Sequence, residues 1–151
     1  MAKLIKPACN DAAIDRNWPE GVKKTRQRIE IYKILSSSEI PVSAADIFKK
    51  LTIDNPKENY AFSTVYRSLL AFENAGVVSK TVFSTEDNAL YELKTGRHRH
   101  YAVCLKCHTK FALKGCPILD TRRMLGSEMS DFMITGHQLE IYGYCGACKS
   151  E

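Results

Sequence analysis

Histidine and cysteine side chains that can bind a metal ion are concentrated in the final third of the chain. The chain has 151 residues, and all four histidines and five of the six cysteines lie between His98 and Cys148. Cys104 and Cys107 form one Cys-x-x-Cys pair, and Cys145 and Cys148 form a second. Two such pairs can supply the four thiolates of a closed tetrahedral site. We therefore predict that these four cysteines bind a structural zinc ion.

Other chemistry fits the two cysteine pairs less well. A thioredoxin-like redox site needs a single Cys-x-x-Cys pair at the start of a helix, whereas here each pair follows a strand-like segment. A zinc deaminase needs a His-x-Glu motif with a Pro-Cys-x-x-Cys pair, and neither motif is present. Cys9 and Cys116 are interpreted as unpaired thiols. With no visible nucleophile–base pair, we predict that the protein is not an enzyme.

A second group of metal ligands precedes the first cysteine pair. Side chains alternate along a strand, so His98 and His100 would point to the same face. Two such imidazoles form half of a site for Zn(II), Fe(II), Mn(II) or Ni(II), and Glu92 can add a carboxylate. The alternative is a pair of surface histidines, because the flanking Arg97 and Arg99 disfavour a divalent cation. We predict a second, regulatory metal site at this junction.

The residues before this region have the pattern of three helices followed by a β-hairpin. A helical pattern covers residues 22–35, a second begins at a capping-box-like Ser43, and a third ends at Gly76. The strand-like segments VVSKTVF and ALYELK then flank the turn-rich STEDN. This order predicts a winged helix-turn-helix domain over residues 1–94, in which residues 1–20 are an N-terminal extension with a short helix.

Residues 95–151 begin a new pattern. Three strand-like segments, HRHYAVC, TKFALK and HQLEIYGY, are joined by a predicted helix that starts at Pro117 and buries Leu125, Met129 and Phe132. So short a unit has little hydrophobic core and needs a metal, a disulfide or a partner subunit. The predicted fold class is α+β, with an N-terminal winged helix-turn-helix domain and a small C-terminal α/β domain.

The third predicted helix has the pattern of a DNA-reading helix. Val65, Leu69 and Phe72 fall on one side and would face the core, which leaves polar side chains on the other side. Tyrosine can touch a thymine methyl, arginine can bind guanine or phosphate, and a basic helix start suits phosphate contacts. The alternatives are solvated charged faces and a protein-interaction module. The candidate DNA-binding residues are Lys23, Lys24, Arg26, Arg28, Ser63, Thr64, Tyr66 and Arg67.

Composition and charge agree with a nucleic-acid partner without requiring one. The chain is 44% hydrophobic and 26% charged, with a formal net charge of +5. No apolar run approaches the ~18 residues of a membrane span. Lys3 and Lys6 interrupt the N-terminal segment, which excludes a signal-peptide core. We expect a cytoplasmic protein with no membrane partner.

Together these motifs resemble the ferric uptake regulator family, which comprises bacterial metal-dependent repressors. The resemblance covers about residues 20–148 and is carried by KKTRQR, STVYRSLLAFENAGVV, YEL, HRHYAVCLKC and HQLEIYGYC. It implies a homodimer in which residues 95–151 are the zinc-containing dimerisation domain. It also implies binding to a palindromic, A·T-rich, double-stranded DNA operator when the regulatory site holds its metal. The four cysteines match the structural zinc site of some members, and Glu92, His98 and His100 match the regulatory site at the hinge.

The chain also departs from the family pattern. Ala112 stands where many members have an acidic residue, and His108 stands where glycine is common. Arg97 and Arg99 occupy the longer histidine run of a further site, so His137 is expected to lack its usual partners. His108 and His137 are therefore additional candidates for the regulatory site, and the other donors that could complete it are Glu39, Cys116 and water.

These observations predict a metal-responsive, DNA-binding transcriptional repressor of metal-homeostasis genes. The predicted metals are a structural Zn(II) and a regulatory Zn(II), Fe(II) or Mn(II), with zinc favoured over iron because a histidine-rich, four-coordinate site suits it. The alternative is a related structural-zinc protein that has lost metal sensing and binds DNA constitutively or acts through protein contacts.

Overall fold

The chain forms two compact units, Met1–Thr95 and Gly96–Glu151. The computed structural model describes residues 11–85, 87–94, 99–116 and 125–149, so Cys9, His98 and Pro117 lie outside the described residues. The mixed helix and sheet content agrees with the predicted α+β class. Within the described residues, no helix has the length and apolar character needed to cross a membrane.

The first unit has the helix order and wing of a winged helix-turn-helix fold. Two wing strands follow the helices and pair antiparallel, with Val78 opposite Leu93. A two-residue strand that the sequence pattern did not predict pairs with the second wing strand, with Val42 opposite Tyr91. The elements are α1 (Asp11–Arg16), α2 (Arg26–Ser37), β1 (Val42–Ser43), α3 (Ala44–Asp54), α4 (Phe62–Asn74), β2 (Val78–Thr81) and β3 (Leu90–Leu93).

Local sequence signals fix the ends of α3 and α4. At the start of α3, the Asp46 backbone N–H donates to Ser43 Oγ at 3.1 Å, and the Ser43 N–H donates to the Asp46 carboxylate at 3.3 Å. This is the predicted capping box. After α4, Gly76 has φ +74°, and the N–H of Val77 donates to the carbonyl of Phe72 at 3.1 Å. Glycine adopts this left-handed conformation without a Cβ clash, so the helix ends there.

The core of the first unit is formed by one face of α4 together with α2 and α3. Val65, Leu69 and Phe72 are buried, as the helical spacing predicted, while Tyr66 on the opposite face is 48% exposed. Ile31 and Ile47 complete the same buried cluster. The direction of the exposed α4 face is therefore set by this apolar packing.

The described part of the N-terminal extension belongs to this core. Ile14 is buried, and the Trp18 ring lies 5.6 Å from Tyr32 and 5.7 Å from Phe72. The Trp18 indole N–H donates to the Val22 carbonyl at 2.7 Å. Residues 14–18 therefore pack as part of the winged-helix domain rather than as an appendage to it.

The second unit is built on a three-stranded sheet. Its strands β4 (Tyr101–Cys104), β5 (Lys110–Ala112) and β6 (Glu140–Gly143) lie in the order β5-β4-β6. The central strand runs antiparallel to β5 and parallel to β6. Among the described residues of this unit, the buried side chains are His100, Tyr101, Val103 and Cys104. So small a core agrees with the predicted need for additional stabilisation.

The predicted helix between β5 and β6 is wrong in its described part. Residues 117–124 lie outside the described residues, and the following segment contains a single 3₁₀ turn, Ser127–Met129. Met129 and Phe132, predicted to be buried, are 41% and 57% exposed. Gly126 disfavours helix at this point, and the apolar spacing alone did not register that cost.

Candidate metal centres and recognition helix

The two cysteine pairs meet at one end of the second sheet. The parallel register places Cys104 opposite Gly143, and the N–H of Leu105 donates to the Gly143 carbonyl at 2.8 Å. This pairing brings the segment after β6 beside the end of β4, where the Cys145 N–H lies 3.4 Å from Cys104 Sγ. All four sulfur atoms, including that of Cys148, lie within 4.8 Å of one another.

The geometry of this four-cysteine cluster fits a zinc ion. A zinc–sulfur bond of about 2.3 Å in a tetrahedron separates neighbouring sulfurs by about 3.8 Å. The Cys107 and Cys145 sulfurs are 3.8 Å apart. The donor type and the spacing therefore both match a closed zinc site.

The electrostatics of the cluster also favour a bound cation. Backbone N–H groups of Cys107 and Cys145 lower the pKa of Cys104 to about 6. The Thr109 hydroxyl, 3.1 Å from Cys107 Sγ, lowers the pKa of Cys107. The adjacent Cys145 thiol instead raises the pKa of Cys148 to about 12. The pKa values of two thiols are thus shifted toward the thiolate form, and a cation is required before all four can be charged together.

His108 has a structural position in the turn that carries the first cysteine pair. Its φ is +56°, and its N–H donates to the Cys104 carbonyl at 2.9 Å. The side chain is exposed and belongs to neither metal-ligand cluster of the described residues. A left-handed backbone favours glycine, which agrees with the glycine that the family resemblance implies at this position.

A second cluster lies at the other end of the same sheet. His100 Nε2 is 3.0 Å from His137 Nε2 and 3.3 Å from Cys116 Sγ. Cys116 Sγ and His137 Nε2 are 3.1 Å apart, and the two imidazole rings are stacked with centroids 4.9 Å apart. His100 is buried, and the other two side chains are half-buried. Three donor atoms therefore converge on one point.

Hydrogen bonds alone do not account for these three short distances. A neutral imidazole Nε2 either carries one hydrogen or offers one lone pair. If His100 donates to His137, the one lone pair of His137 is used, so the three contacts cannot all be linear hydrogen bonds. A cation between the three atoms instead uses one lone pair from each. The cluster therefore has the arrangement of metal ligands.

The sheet explains how residues so distant in sequence meet. His100 immediately precedes β4, and the Leu113 N–H after β5 donates to the His100 carbonyl at 2.8 Å. This pairing carries Cys116 back to the start of β4. The parallel pairing of Tyr101 with Glu140 places His137, just before β6, at the same end. Each of the three strands thus delivers one donor.

His137 was expected to lack its usual partners, and in the structure its neighbours in the cluster are His100 and Cys116. From the sequence, Cys116 was interpreted as an unpaired thiol and was also named among several donors that could complete the regulatory site. The pairing of β4 with β5 is the signal that brings it to His100. Glu92 lies on β3 in the first unit and His98 lies outside the described residues. The hinge site of Glu92, His98 and His100 therefore stays a prediction.

The outer face of α4 presents the predicted recognition residues. Ser63, Tyr66 and Arg67 are exposed, and Thr64 is half-buried. The Arg67 guanidinium lies 3.4 Å from Thr64 Oγ1, within hydrogen-bonding distance. Tyr66 packs edge-to-face on Phe62, with ring centroids 5.1 Å apart. The polar face predicted for this helix is thus confirmed as an exposed surface.

Several basic residues before α2 and in its first turn have intramolecular partners. Arg26 pairs with Glu58 at 2.8 Å. Lys24 pairs with Asp15 and lies 5.6 Å from the centre of the Trp18 ring. The Arg28 guanidinium donates to the Lys23 carbonyl at 2.9 Å. Lys23, Lys24 and Arg26 are exposed, whereas Arg28 is half-buried.

Comparison with known proteins identifies the family. The model of the ferric uptake regulator family matches residues 19–142. The chain belongs to the ferric uptake regulator family. It is 32% identical to the ferric uptake regulation protein of Bordetella parapertussis over 130 residues, which cover 85% of this chain and 91% of that protein. It is 33% identical to the peroxide-responsive repressor PerR of Staphylococcus epidermidis over 131 residues, covering 87% and 84% respectively.

The fold agrees with this membership. The crystal structure of the ferric uptake regulator of Vibrio cholerae matches with a TM-score of 0.68 and 31% identity, covering 90% of this chain and 99% of that one. Members of the ferric uptake regulator family are metal-responsive transcriptional regulators, bind DNA and act as dimers. The protein is thus a regulator of this family rather than an enzyme, as predicted.

Proposed function

We propose that this protein is a metal-responsive repressor that binds operator DNA as a homodimer and controls metal-homeostasis genes. The observation that carries the proposal is the convergence of His100, Cys116 and His137 at 3.0–3.3 Å, separate from the four cysteines. A closed four-cysteine site holds its metal permanently, so a regulator needs a second site whose occupancy changes with metal supply.

The proposed DNA contacts combine base reading with phosphate binding. Tyr66 and Arg67 on the exposed face of α4 read the major groove, and Ser63 and Thr64 at its start contact the backbone. The basic residues before α2 and in its first turn add phosphate contacts. Because Arg26 is already paired with Glu58 at 2.8 Å, it contributes less than the other basic residues in this set.

The proposed metals are a structural zinc ion and a regulatory divalent ion. Cys104, Cys107, Cys145 and Cys148 hold the structural zinc. His100 is common to both arrangements of the regulatory site: the cluster with Cys116 and His137, and the predicted hinge site with Glu92 and His98. A histidine-rich set favours zinc over iron or manganese. The proposed operator is palindromic and A·T-rich, as the family resemblance implies.

The test is the metal dependence of DNA binding. An operator is first selected from a random duplex library with zinc present, and its affinity is then measured by fluorescence anisotropy across titrations of zinc, iron(II) and manganese. His137→Ala should abolish the metal dependence, while His108→Gly should retain it, because His108 belongs to neither cluster. A shift produced by Glu92→Ala but not by His137→Ala would assign the regulation to the hinge. DNA binding without any metal dependence would support the constitutive alternative.

A further inference from the structure

We infer that Cys116 makes the second cluster a one-thiolate, two-imidazole site that selects thiophilic divalent ions, Zn(II) above all, over Mn(II). The inference rests on the proposed function and names the ion class for the site that His100 and His137 share with Cys116. The family resemblance did not supply Cys116, which joins the cluster only through the folding of β5 against β4.

The spacing of the three donors matches a small tetrahedral ion. With zinc–nitrogen bonds of about 2.0–2.1 Å and a zinc–sulfur bond of about 2.3 Å, a tetrahedron separates the nitrogens by about 3.3 Å and sulfur from nitrogen by about 3.6 Å. The observed separations are 3.0 Å between His100 and His137, and 3.3 Å and 3.1 Å from Cys116 to these imidazoles. The two atoms of each donor pair need to move apart by only about half an ångström or less to bind zinc.

The donor types decide which ions fit best. Thiolate is a soft ligand that favours zinc, whereas Mn(II) prefers carboxylate, carbonyl and water oxygens. Among the described residues, no Asp or Glu joins His100, Cys116 and His137 in the cluster. His100 is only 2% exposed, so one side of the site is formed by protein rather than by solvent. A hard ion would lose water ligands there and gain a sulfur ligand that it binds weakly.

The two metal sites can be measured separately. Cys104 ends β4 and His100 precedes it, four residues apart, so the sites lie about 13 Å apart along an extended strand. No donor atom of one cluster belongs to the other. Zinc retained by the four cysteines therefore leaves the second cluster available to a different probe ion.

Cobalt(II) is that probe. The full-length protein carrying one zinc per chain is titrated with Co(II), and absorbance is recorded in the near-ultraviolet and visible ranges. We expect one further equivalent to bind, with the visible bands of tetrahedral cobalt and a thiolate-to-cobalt charge-transfer band. The intensity should be about a quarter of that of a four-thiolate site, since one sulfur ligand contributes. Zinc added afterwards should abolish both bands.

Variants test whether the sulfur comes from Cys116. Cys116→Asp should remove the charge-transfer band while retaining a negatively charged ligand, and it should weaken zinc binding because a carboxylate is a harder ligand than a thiolate. Its zinc-to-manganese affinity ratio should fall well below that of the unsubstituted chain. His108→Gly, a change in the same unit that spares both clusters, should leave the band and the ratio unchanged.

The outcomes separate this inference from the proposed function. Binding of a second ion without a charge-transfer band, or an unchanged zinc-to-manganese ratio in Cys116→Asp, would overturn the inference while leaving metal-dependent repression intact. Failure of the chain to bind a second equivalent would also overturn it. If the band and the selectivity are found but DNA affinity does not respond to zinc, the site assignment stands and the regulatory function fails.

Discussion

The Phe62 ring stands edge-on to the Tyr66 ring, with centroids 5.1 Å apart and an interplanar angle of 89°. Phe62 is in turn edge-on to Phe48 of α3 at 5.3 Å. The three rings form a row from α3 to the exposed face of α4. Phe62 therefore limits the orientations of the ring that we propose to contact DNA, and Phe48 supports it from the neighbouring helix.

Tyr66→Ala should weaken binding to a selected operator by about 1–3 kcal/mol while largely retaining affinity for random duplexes, because base contacts are lost and phosphate contacts remain. Phe62→Ala should cost about 0.5–1.5 kcal/mol on the operator, the range for an edge-to-face pair. In a double-mutant cycle, the Phe62 effect should nearly vanish once Tyr66 is alanine. Additive losses would mean that Phe62 does not act through Tyr66.

Arg67→Ala should reduce operator affinity by about 1–3 kcal/mol, because its guanidinium lies on the exposed face of α4. If the slope of log affinity against log salt concentration falls by about one, Arg67 contacts a phosphate. If the slope is unchanged, Arg67 contacts a base edge. Arg26→Ala is the matched control, since Arg26 is already paired with Glu58 at 2.8 Å and should change the affinity less. Equal losses for the two variants would contradict this ranking.

Cys104→Ser should release the structural zinc and loosen the second unit. Cys104 is buried, and the Cys145 N–H lies 3.4 Å from its sulfur, so it links the two cysteine pairs directly. Zinc content by mass spectrometry should fall, and hydrogen exchange should accelerate in β4, β5 and β6 but not in α2–α4, whose core is independent of the cysteines. Cys116→Ser is the control and should retain this zinc. Full zinc retention in Cys104→Ser would refute the site.

Trp18→Ala should destabilise the first unit by about 2–3 kcal/mol, somewhat less than for a fully buried tryptophan. The indole contacts Tyr32 and Phe72 and donates to the Val22 carbonyl at 2.7 Å. Trp18→Phe should recover part of the loss by restoring ring packing without the hydrogen bond. Denaturant unfolding followed by helix circular dichroism measures both variants, and an unchanged midpoint for Trp18→Ala would show that the segment does not stabilise the core.

Periodicity and end signals were sufficient to predict the helices of the first unit. The capping box at Ser43, the glycine stop at Gly76 and the apolar arc of Val65, Leu69 and Phe72 are all properties of neighbouring residues. Local backbone geometry determines them, so each was found in the structure as predicted. The two Cys-x-x-Cys pairs were also predictable from neighbouring residues, because the short spacing sets the turn between the cysteines.

Local pattern failed in two segments, residues 125–132 and residues 14–18. The segment Leu125–Phe132 has helical apolar spacing, but in its described part it forms only a 3₁₀ turn with exposed Met129. Conversely, the N-terminal segment shows little periodicity, yet Ile14 and Trp18 pack into the core through contacts with α2 and α4. Gly126 disfavours helix in the first of these segments, whereas packing against distant residues decided the second.

The sequence by itself determined the winged-helix order, the four-cysteine site and the family. Only the tertiary structure decided the second cluster, because its members are 16 and 37 residues from His100 and no short motif links them. The parallel pairing of β4 with β6 and the antiparallel pairing of β4 with β5 place one donor from each strand at the same end. Strand register depends on backbone hydrogen bonds between distant segments, and that information is not contained in the spacing of any one segment.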